Sequence, residues 1–564
     1  MDCREKIISE NYADFIIEIK TGYEKILEEY REFCPVLPAV NYGIIHRPLN
    51  TIVGRGLIEY NYSEIPKLYG LMDTTAIEST GALRLQNFPG LALAGNGIIV
   101  GIIDDGIDAY HEAFRYSNGN TRILAAWDQQ SVMLEPPLDL KYGSFLTQDT
   151  INEELQKESS EILKSLAEDS SHGTFVAGIA AGNLNTEKGI ASAAPRADII
   201  VVKLKPAKAY LREYYSIKED AKAFQENDIM NAVNFLSEMA FLYNKPVIMC
   251  LPLGTNQGAH NGQSIVGGLM NVLGGRTGVG ICVANGNEGN SRHHFQGKIE
   301  SAGEYEDVEI RVAENLRGFT TELWGESPDL FSVEIISPTG EKIQRLSVGI
   351  EGNQVYDLLF ERTKIYIRYE LVERNTGAEL IQIKFEAPTP GIWTIRVYGD
   401  MVANGAYNMW LPITDFVGRD TYFLKPNPNT TLTIPADASV PISVGAYDDE
   451  TGSMYLDSGR GYPTNMVVKP SFSAPGVGVY GPGLNNSYVI RSGTSVSAGI
   501  TAGVMVQFME WGILRGNSIN MNTTEIKNYL VRGAQRRPNI TYPNREWGYG
   551  ILDAYNSIDI LRRQ

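Results

Sequence analysis

Cysteine and histidine are scarce in this chain, and long apolar runs are missing. Only four cysteines occur in 564 residues. Cys3, Cys34, Cys250 and Cys282 show no CxxC spacing, which gives a zinc site little support. A chain this long buries enough core to need no disulfides. No stretch approaches the roughly 18 uninterrupted apolar residues of a membrane helix. The start, Met1-Asp2-Cys3-Arg4-Glu5-Lys6, is polar and leads into no sustained apolar segment, so we expect no signal peptide and synthesis in the cytoplasm. Basic residues are in deficit: 49 Lys and Arg face 67 Asp and Glu, a net charge of −18. That balance repels phosphate backbones and argues against nucleic acid as a partner. No carboxylate-rich loop has calcium-ligand spacing, so neither a metal nor a cofactor is expected.

What is present describes a folded, multi-part chain. Hydrophobic residues at 43% and aromatics at 10% exclude disorder. At about 150 residues per domain, the length suits several domains. The first 70 or so residues read as a small α+β unit: a strand at Phe15–Ile19, a charged helix at Tyr23–Phe33, and strands around Tyr42–Ile45 and Leu57–Tyr62. It ends at Ile65-Pro66-Lys67-Leu68-Tyr69-Gly70, where Pro and Gly mark a break. From Gly97 the style changes. Ile98–Ile103, Ala197–Leu204, Val247–Leu251 and Gly280–Ala284 are near-continuous apolar runs, as buried parallel strands require. Ile229, Val233, Leu236 and Ala240 recur at helical spacing between two of them. The implied fold is α/β, a parallel sheet with crossover helices. Between about Phe295 and Pro412 the period switches to two, as in Val308–Val312 and Trp393–Val397, which indicates an all-β insert, a sandwich. The α/β style returns at Val440–Gly445.

Three segments at element boundaries could carry chemistry. Asp104 closes the run Ile98–Ile103, where α/β sheets place their sites, although Asp-Gly after a strand also makes an ordinary turn. His172 follows Ser171, a plausible N-cap, and leads Gly173-Thr174-Phe175-Val176-Ala177-Gly178, whose small residues permit close helix packing. The other five histidines, at 46, 111, 260, 293 and 294, lie in no comparable setting. Ser495, in Ser492-Gly493-Thr494-Ser495, opens an apolar helix whose free N–H groups could serve an oxyanion, or the serine could simply cap it.

Together the three resemble the subtilisin-like serine proteases, whose chain order is Asp, His, Ser. Ala284-Asn285-Gly286-Asn287-Glu288-Gly289 resembles the family's oxyanion strand end. Ser473-Ala474-Pro475-Gly476 resembles the segment before the serine, and Gly189-Ile190-Ala191 to Ala194-Pro195 the stretch after the histidine helix. The resemblance implies a serine endopeptidase acting on protein or peptide. Ser495 would be the nucleophile, His172 the general base and Asp104 its orienting anion, with Asn287 and the Ser495 N–H holding the oxyanion. It also implies substrate contacts at Leu253, Gly254, Ala284, Asn285 and Gly286. Three positions depart from the pattern: Asp105 where Thr or Ser is usual, Gly499 where Pro follows the serine segment, and Pro252 where the substrate-pairing edge has a serine. Asp105 would raise the pKa of its neighbour if buried. Gly499 should loosen the helix start. Pro252 removes one donor from the edge.

The layout, with Leu253-Gly254-Thr255-Asn256-Gln257-Gly258, is similar to clostridial subtilases and, within them, to the Csp-type germination proteases. That narrower resemblance implies a prodomain over 1–74 acting as intramolecular chaperone and inhibitor, and the break in pattern after Tyr69 ahead of the strand run from Gly97 places its self-cleavage near 70–78. It implies a catalytic domain in two parts, 75–297 and 421–564, around a jelly-roll insert at 298–420. It further implies packaging in the spore and activation of a cortex-lytic zymogen. The alternative is a subtilase-fold regulatory or germinant-sensing protein with little turnover.

Overall fold

The computed structural model describes residues 3–562 apart from 20–22, 40, 53–56, 58–59, 72–77, 89, 168–170, 186–190 and 347–351. The N-terminal unit is a three-stranded antiparallel sheet of β1 (Tyr12–Glu18), β2 (Val36–Ala39) and β3 (Tyr42–Pro48), in the order β1-β3-β2. Alternation along its strands buries both faces. Ile16 and Ile44 join one core cluster, and Ala13, Phe15 and Ile45 another. A disulfide joins Cys3 to Cys34, with Cα atoms 5.4 Å apart, a bridge the spacing did not announce.

Two expectations for this unit fail. No strand spans Leu57–Tyr62: Tyr62–Glu64 is a 3-10 turn, and residues 58–59 lie outside the described ones. Tertiary partners decide this. The Tyr62 N–H donates to Glu370 Oε1 at 2.9 Å, and its hydroxyl bonds both Glu322 oxygens at 2.8 and 2.7 Å. Conversely, the supposed break contains β4 (Leu68–Leu71), a strand whose partners lie far away in sequence.

The apolar runs form one eight-stranded sheet. In chain order its strands are β5 (Ile99–Asp104), β6 (Ile123–Asp128), β7 (Ser144–Thr147), β8 (Asp198–Lys203), β10 (Val247–Leu251), β12 (Val279–Ala284), β13 (Ile442–Tyr447) and β14 (Phe472–Pro475). The two-residue strands β9 (Phe224–Gln225) and β11 (Leu253–Gly254) stand apart from it. The spatial order is β14-β13-β12-β10-β5-β8-β6-β7, all parallel except β7. Alternate residues of each strand feed two clusters. Val100, Ile102 and Cys250 pack toward the helices α1 (Ser171–Ala181) and α4 (Thr494–Met509). Ile99, Ile103 and Met249 pack toward α2 (Glu226–Leu242) and α3 (Ile265–Gly274). Cys250 and Cys282 are buried and free.

Between β12 and β13 the chain makes two further antiparallel sheets, one of six strands and one of five, around a core that includes Phe331, Ile367, Phe385 and Trp393. The first and last of these strands in the chain are His294–Lys298 and Tyr422–Phe423. This is the expected sandwich. Among the described residues no helix is long and apolar enough to cross a membrane.

Candidate active site

Asp104 is the last residue of β5 and fully buried. His172 is the second residue of α1, and its Nδ1 lies 2.9 Å from both Asp104 oxygens. Gly173 makes that approach feasible: a Cβ there would lie 2.2 Å from the Gly106 carbonyl and 3.0 Å from Asp104 Cβ. A carboxylate facing Nδ1 favours the tautomer with its proton there, leaving Nε2 as the acceptor. Ser171, expected to cap this helix, is instead its first residue, and its Oγ accepts from Arg491 at 2.7 Å. That bond ties the histidine helix to the serine segment.

Ser495 is the second residue of α4, buried at the helix N-terminus, with its Oγ 3.4 Å from the Pro252 carbonyl. Thr494 donates to Asn287 Oδ1 twice, from its N–H at 3.0 Å and from its hydroxyl at 3.1 Å. With its oxygen engaged, Asn287 offers its Nδ2 protons as the remaining donor. Ser497 Oγ donates to the Ala474 carbonyl at 3.0 Å, which fixes the Ala-Pro-Gly segment beneath the helix. Gly499 lies inside α4, where a Cβ would lie 3.0 Å from Ile179 and 3.2 Å from Val176 on α1, so its bareness lets two helices pack closely rather than loosening a helix start.

Leu253 and Gly254 form β11, the expected edge. It pairs antiparallel with β4 in the register Leu253↔Leu71 and Gly254↔Gly70. Pro252 does not prevent this pairing. The other side of β4 pairs with β9, Leu68↔Gln225 and Tyr69↔Phe224. The N-terminal unit therefore lends the middle strand of a three-stranded sheet whose outer strands belong to the catalytic half. β9 escaped sequence reasoning because two residues carry no periodicity.

Ala284, Asn285 and Gly286 line up at the end of β12. The Asn285 N–H donates to Val444 O at 3.1 Å, and Gly286 adopts φ +90°, a conformation that suits glycine. Thr433, unnoticed in the sequence, closes the space between this segment and β11. A Cβ on Gly254 would meet its Oγ1 at 2.1 Å, and one on Gly286 its Cγ2 at 2.5 Å. The stretch after the histidine helix is described only from Ala191, since Gly189 and Ile190 lie outside the described residues.

Asp105 is buried beside Asp104. Its carboxylate accepts the Gly173 N–H at 2.9 Å and pairs with Lys222 Nζ at 3.0 Å. Burial and the charge of Asp104 push its pKa up to about 6, against the pull of His172 and Lys222. His172 is not the only histidine facing a carboxylate: His46 Nδ1 lies 2.6 Å from Asp14 and His293 Nδ1 2.7 Å from Glu288. Among the described residues no group of three or more His, Cys, Asp or Glu could hold a metal ion.

A family model described as "Subtilase family" matches residues 95–309 and 403–550. The C5a peptidase of Streptococcus pyogenes is 23% identical over 442 residues, 73% of this chain and 34% of that protein. The PII-type proteinase of Lacticaseibacillus paracasei is 20% identical over 528 residues, 83% of this chain and 26% of that protein. This chain thus spans about a quarter to a third of the length of these curated relatives. Among solved structures, the Clostridium perfringens CspB protease superposes with a TM-score of 0.75 at 29% identity, covering 86% of this chain and 98% of that one.

Proposed function

The chain belongs to the subtilase family, and from that premise we propose that it is a serine endopeptidase made as a self-cleaving proenzyme. The observation that carries the reading is the grip of both Asp104 oxygens on His172 Nδ1 at the sheet's C-terminal edge. Ser495 Oγ attacks the scissile carbonyl while His172 Nε2 takes its proton. The oxyanion accepts from the Ser495 N–H and Asn287 Nδ2. Collapse passes the proton from His172 to the leaving amine. Water then enters, with His172 again as base, and frees the acyl-enzyme. Asp104 stabilises the imidazolium in both halves.

The N-terminal unit is the substrate of the first turnover. β4 lies against β11 as a substrate strand would, and Pro252, one residue before Leu253, has its carbonyl next to Ser495 Oγ. Run one step past Leu71, the antiparallel register points to cleavage of the bond Met72–Asp73. That bond falls inside the expected window of 70–78, of which 72–77 lie outside the described residues. Tethering makes the effective concentration very high. Purified protein should run as two co-eluting fragments with a new N-terminus at Asp73, and Ser495→Ala as one chain starting at Met1. A wild-type protein that is folded and keeps Met1 throughout overturns the self-cleavage reading.

The likeness to CspB along nearly all of that chain supports a narrower proposal, a germination protease that activates a cortex-lytic zymogen in the spore. Incubation with such a zymogen, read by gel, tests it: cleavage at one site supports the role and an untouched zymogen removes it.

A further inference from the structure

The cleft has two halves, and β4 accounts for one. It fills the side before the scissile bond, between β9 and β11. Beyond His172 and Asn287 lies a cavity of about 330 Å³ that no described residue of the N-terminal unit lines. A chain running along β4 and past Ser495 enters it, so it receives residues that follow the bond.

Its outer wall comes from outside the catalytic sheet. Ile413, Thr414, Asp415 and Arg419 belong to the connection between the last two strands of the sandwich, Ala406–Trp410 and Tyr422–Phe423. That segment is fixed in place. Glu288 Oε1 accepts the Thr414 N–H at 2.9 Å, Ser291 Oγ and Thr414 Oγ1 lie 2.7 Å apart, and Phe416 and Val417 are buried. Between these anchors Asp415 is exposed to the cavity.

The charges around the cavity are engaged elsewhere, with one exception. Lys222 pairs with Asp105 at 3.0 Å, Arg419 with Asp457 at 2.8 Å, and Glu288 with His293 at 2.7 Å. Arg491 donates to Ser171 and lies over the Phe175 ring. Lys218 is set back from the lining, beside Gly418. Asp415 makes no ion pair among the described residues. Loss of water against the cavity walls, and then the charge of Glu288, raise its pKa, only partly offset by Lys218, His172 and Arg419. An under-neutralised carboxylate in a cleft gains from an incoming cation.

We propose that Asp415 is a specificity-determining residue, supplied by the sandwich, that selects lysine or arginine at the first or second position after the scissile bond. The proposal depends on the serine-peptidase reading. Self-cleavage proceeds without a basic residue at Asp73-Thr74-Thr75 because tethering offsets the missing contact, so a basic residue placed there should accelerate it.

Cleavage-site profiling of a peptide library by mass spectrometry, using the full processed chain with Ser495→Ala as blank, reads this subsite. Lysine and arginine should be enriched about three- to fivefold at those positions, the upper part of the range of one exposed ion pair. Asp415→Asn should abolish the enrichment, and Asp415→Lys should turn it toward aspartate and glutamate. Self-cleavage during refolding gives a second reading that needs no access by outside peptides. Asp73→Lys should cleave faster than Asp73→Glu, and Asp415→Asn should erase the difference. Cleavage without basic enrichment, or a preference unchanged in Asp415→Asn, overturns the subsite alone. A protein that cleaves neither itself nor the library, and whose Ser495 resists a fluorophosphonate, overturns the peptidase reading instead.

Discussion

At the scale of single residues, the proposed roles separate by magnitude. Ser495→Ala and His172→Ala should each remove turnover by up to about a million-fold, because such groups act as a unit. Asn287→Ala removes one oxyanion donor and should cost roughly a hundred- to thousand-fold. Steady-state kinetics on any cleaved peptide checks the ranking. Equal losses at all three positions would contradict it. Asp105 gives a pH signature. Its pKa is raised on folding from 3.8 to about 6, so the folded state holds its proton more tightly than the unfolded chain. The associated stability is present in full below pH 3.8 and is lost as pH rises through about 6, a loss of about 3 kcal/mol. Asp105→Asn has no such proton to lose. Melting temperatures between pH 4 and 7 should therefore fall for the wild type relative to Asp105→Asn, and parallel curves would refute the assignment.

At the scale of elements, the seam between the N-terminal sheet and the catalytic half is ionic and buried. Asp14 on β1 accepts from Lys208 Nζ at 2.8 Å, from His46 Nδ1 at 2.6 Å and from Gln225 Nε2 at 2.7 Å, with Lys205 Nζ at 3.8 Å. Lys205 also pairs with Asp228 at 2.7 Å. Burial by itself would raise the Asp14 pKa, but Lys208, His46 and Lys205 hold it well below the usual carboxylate range. The stabilisation is therefore present above the ordinary carboxylate pKa and is lost in acid. Gln225 belongs to β9, so this network backs the strand that pairs with β4. Asp14→Ala leaves two buried lysines to a single Asp228. It should destabilise the seam by about 3–5 kcal/mol, the cost of breaking a buried pair. Size-exclusion of the cleaved protein should then show the N-terminal fragment released, whereas continued co-elution would mean that apolar contacts alone hold it.

Legibility in the sequence followed the reach of each signal. Asp104, His172, Asn287 and Ser495 each stand in a local pattern, at a strand end or helix start, and the structure places all four around one cleft. The buried strands were readable because both faces are apolar along each run. β4, β9 and Thr433 were not. Two- and four-residue strands have no period to detect, and each forms only because its partner arrives from elsewhere in the chain. Lys222 and Asp415 were equally silent, since a lone charged residue on a loop or a single helical turn carries no pattern until a carboxylate or a cavity faces it.

At the scale of the whole molecule, three bodies converge on one cleft. In the proposed reading, Asp104 at the end of β5, His172 on α1, Asn287 after β12 and Ser495 on α4 form the catalytic set, the N-terminal unit fills the side before the bond, and the sandwich walls the side after it. The sandwich also holds the N-terminal unit. Glu322 and Glu370 bind Tyr62, and Arg368 Nη2 donates to the Leu57 carbonyl at 3.0 Å. Excision of residues 298–420 should thus lower the melting temperature and free the N-terminal fragment while leaving Asp104 and His172 in contact. An excised protein that matches its parent in both melting and fragment retention would remove the clamp from this account. The central claim is that Ser495 is a nucleophile activated by the Asp104–His172 pair. Peptide mass spectrometry after fluorophosphonate treatment tests it most directly. One adduct on the peptide containing Ser495, absent from Ser495→Ala and strongly reduced in His172→Ala, is the predicted result. A folded wild-type protein that stays unlabelled, or labels equally in Ser495→Ala, would contradict it.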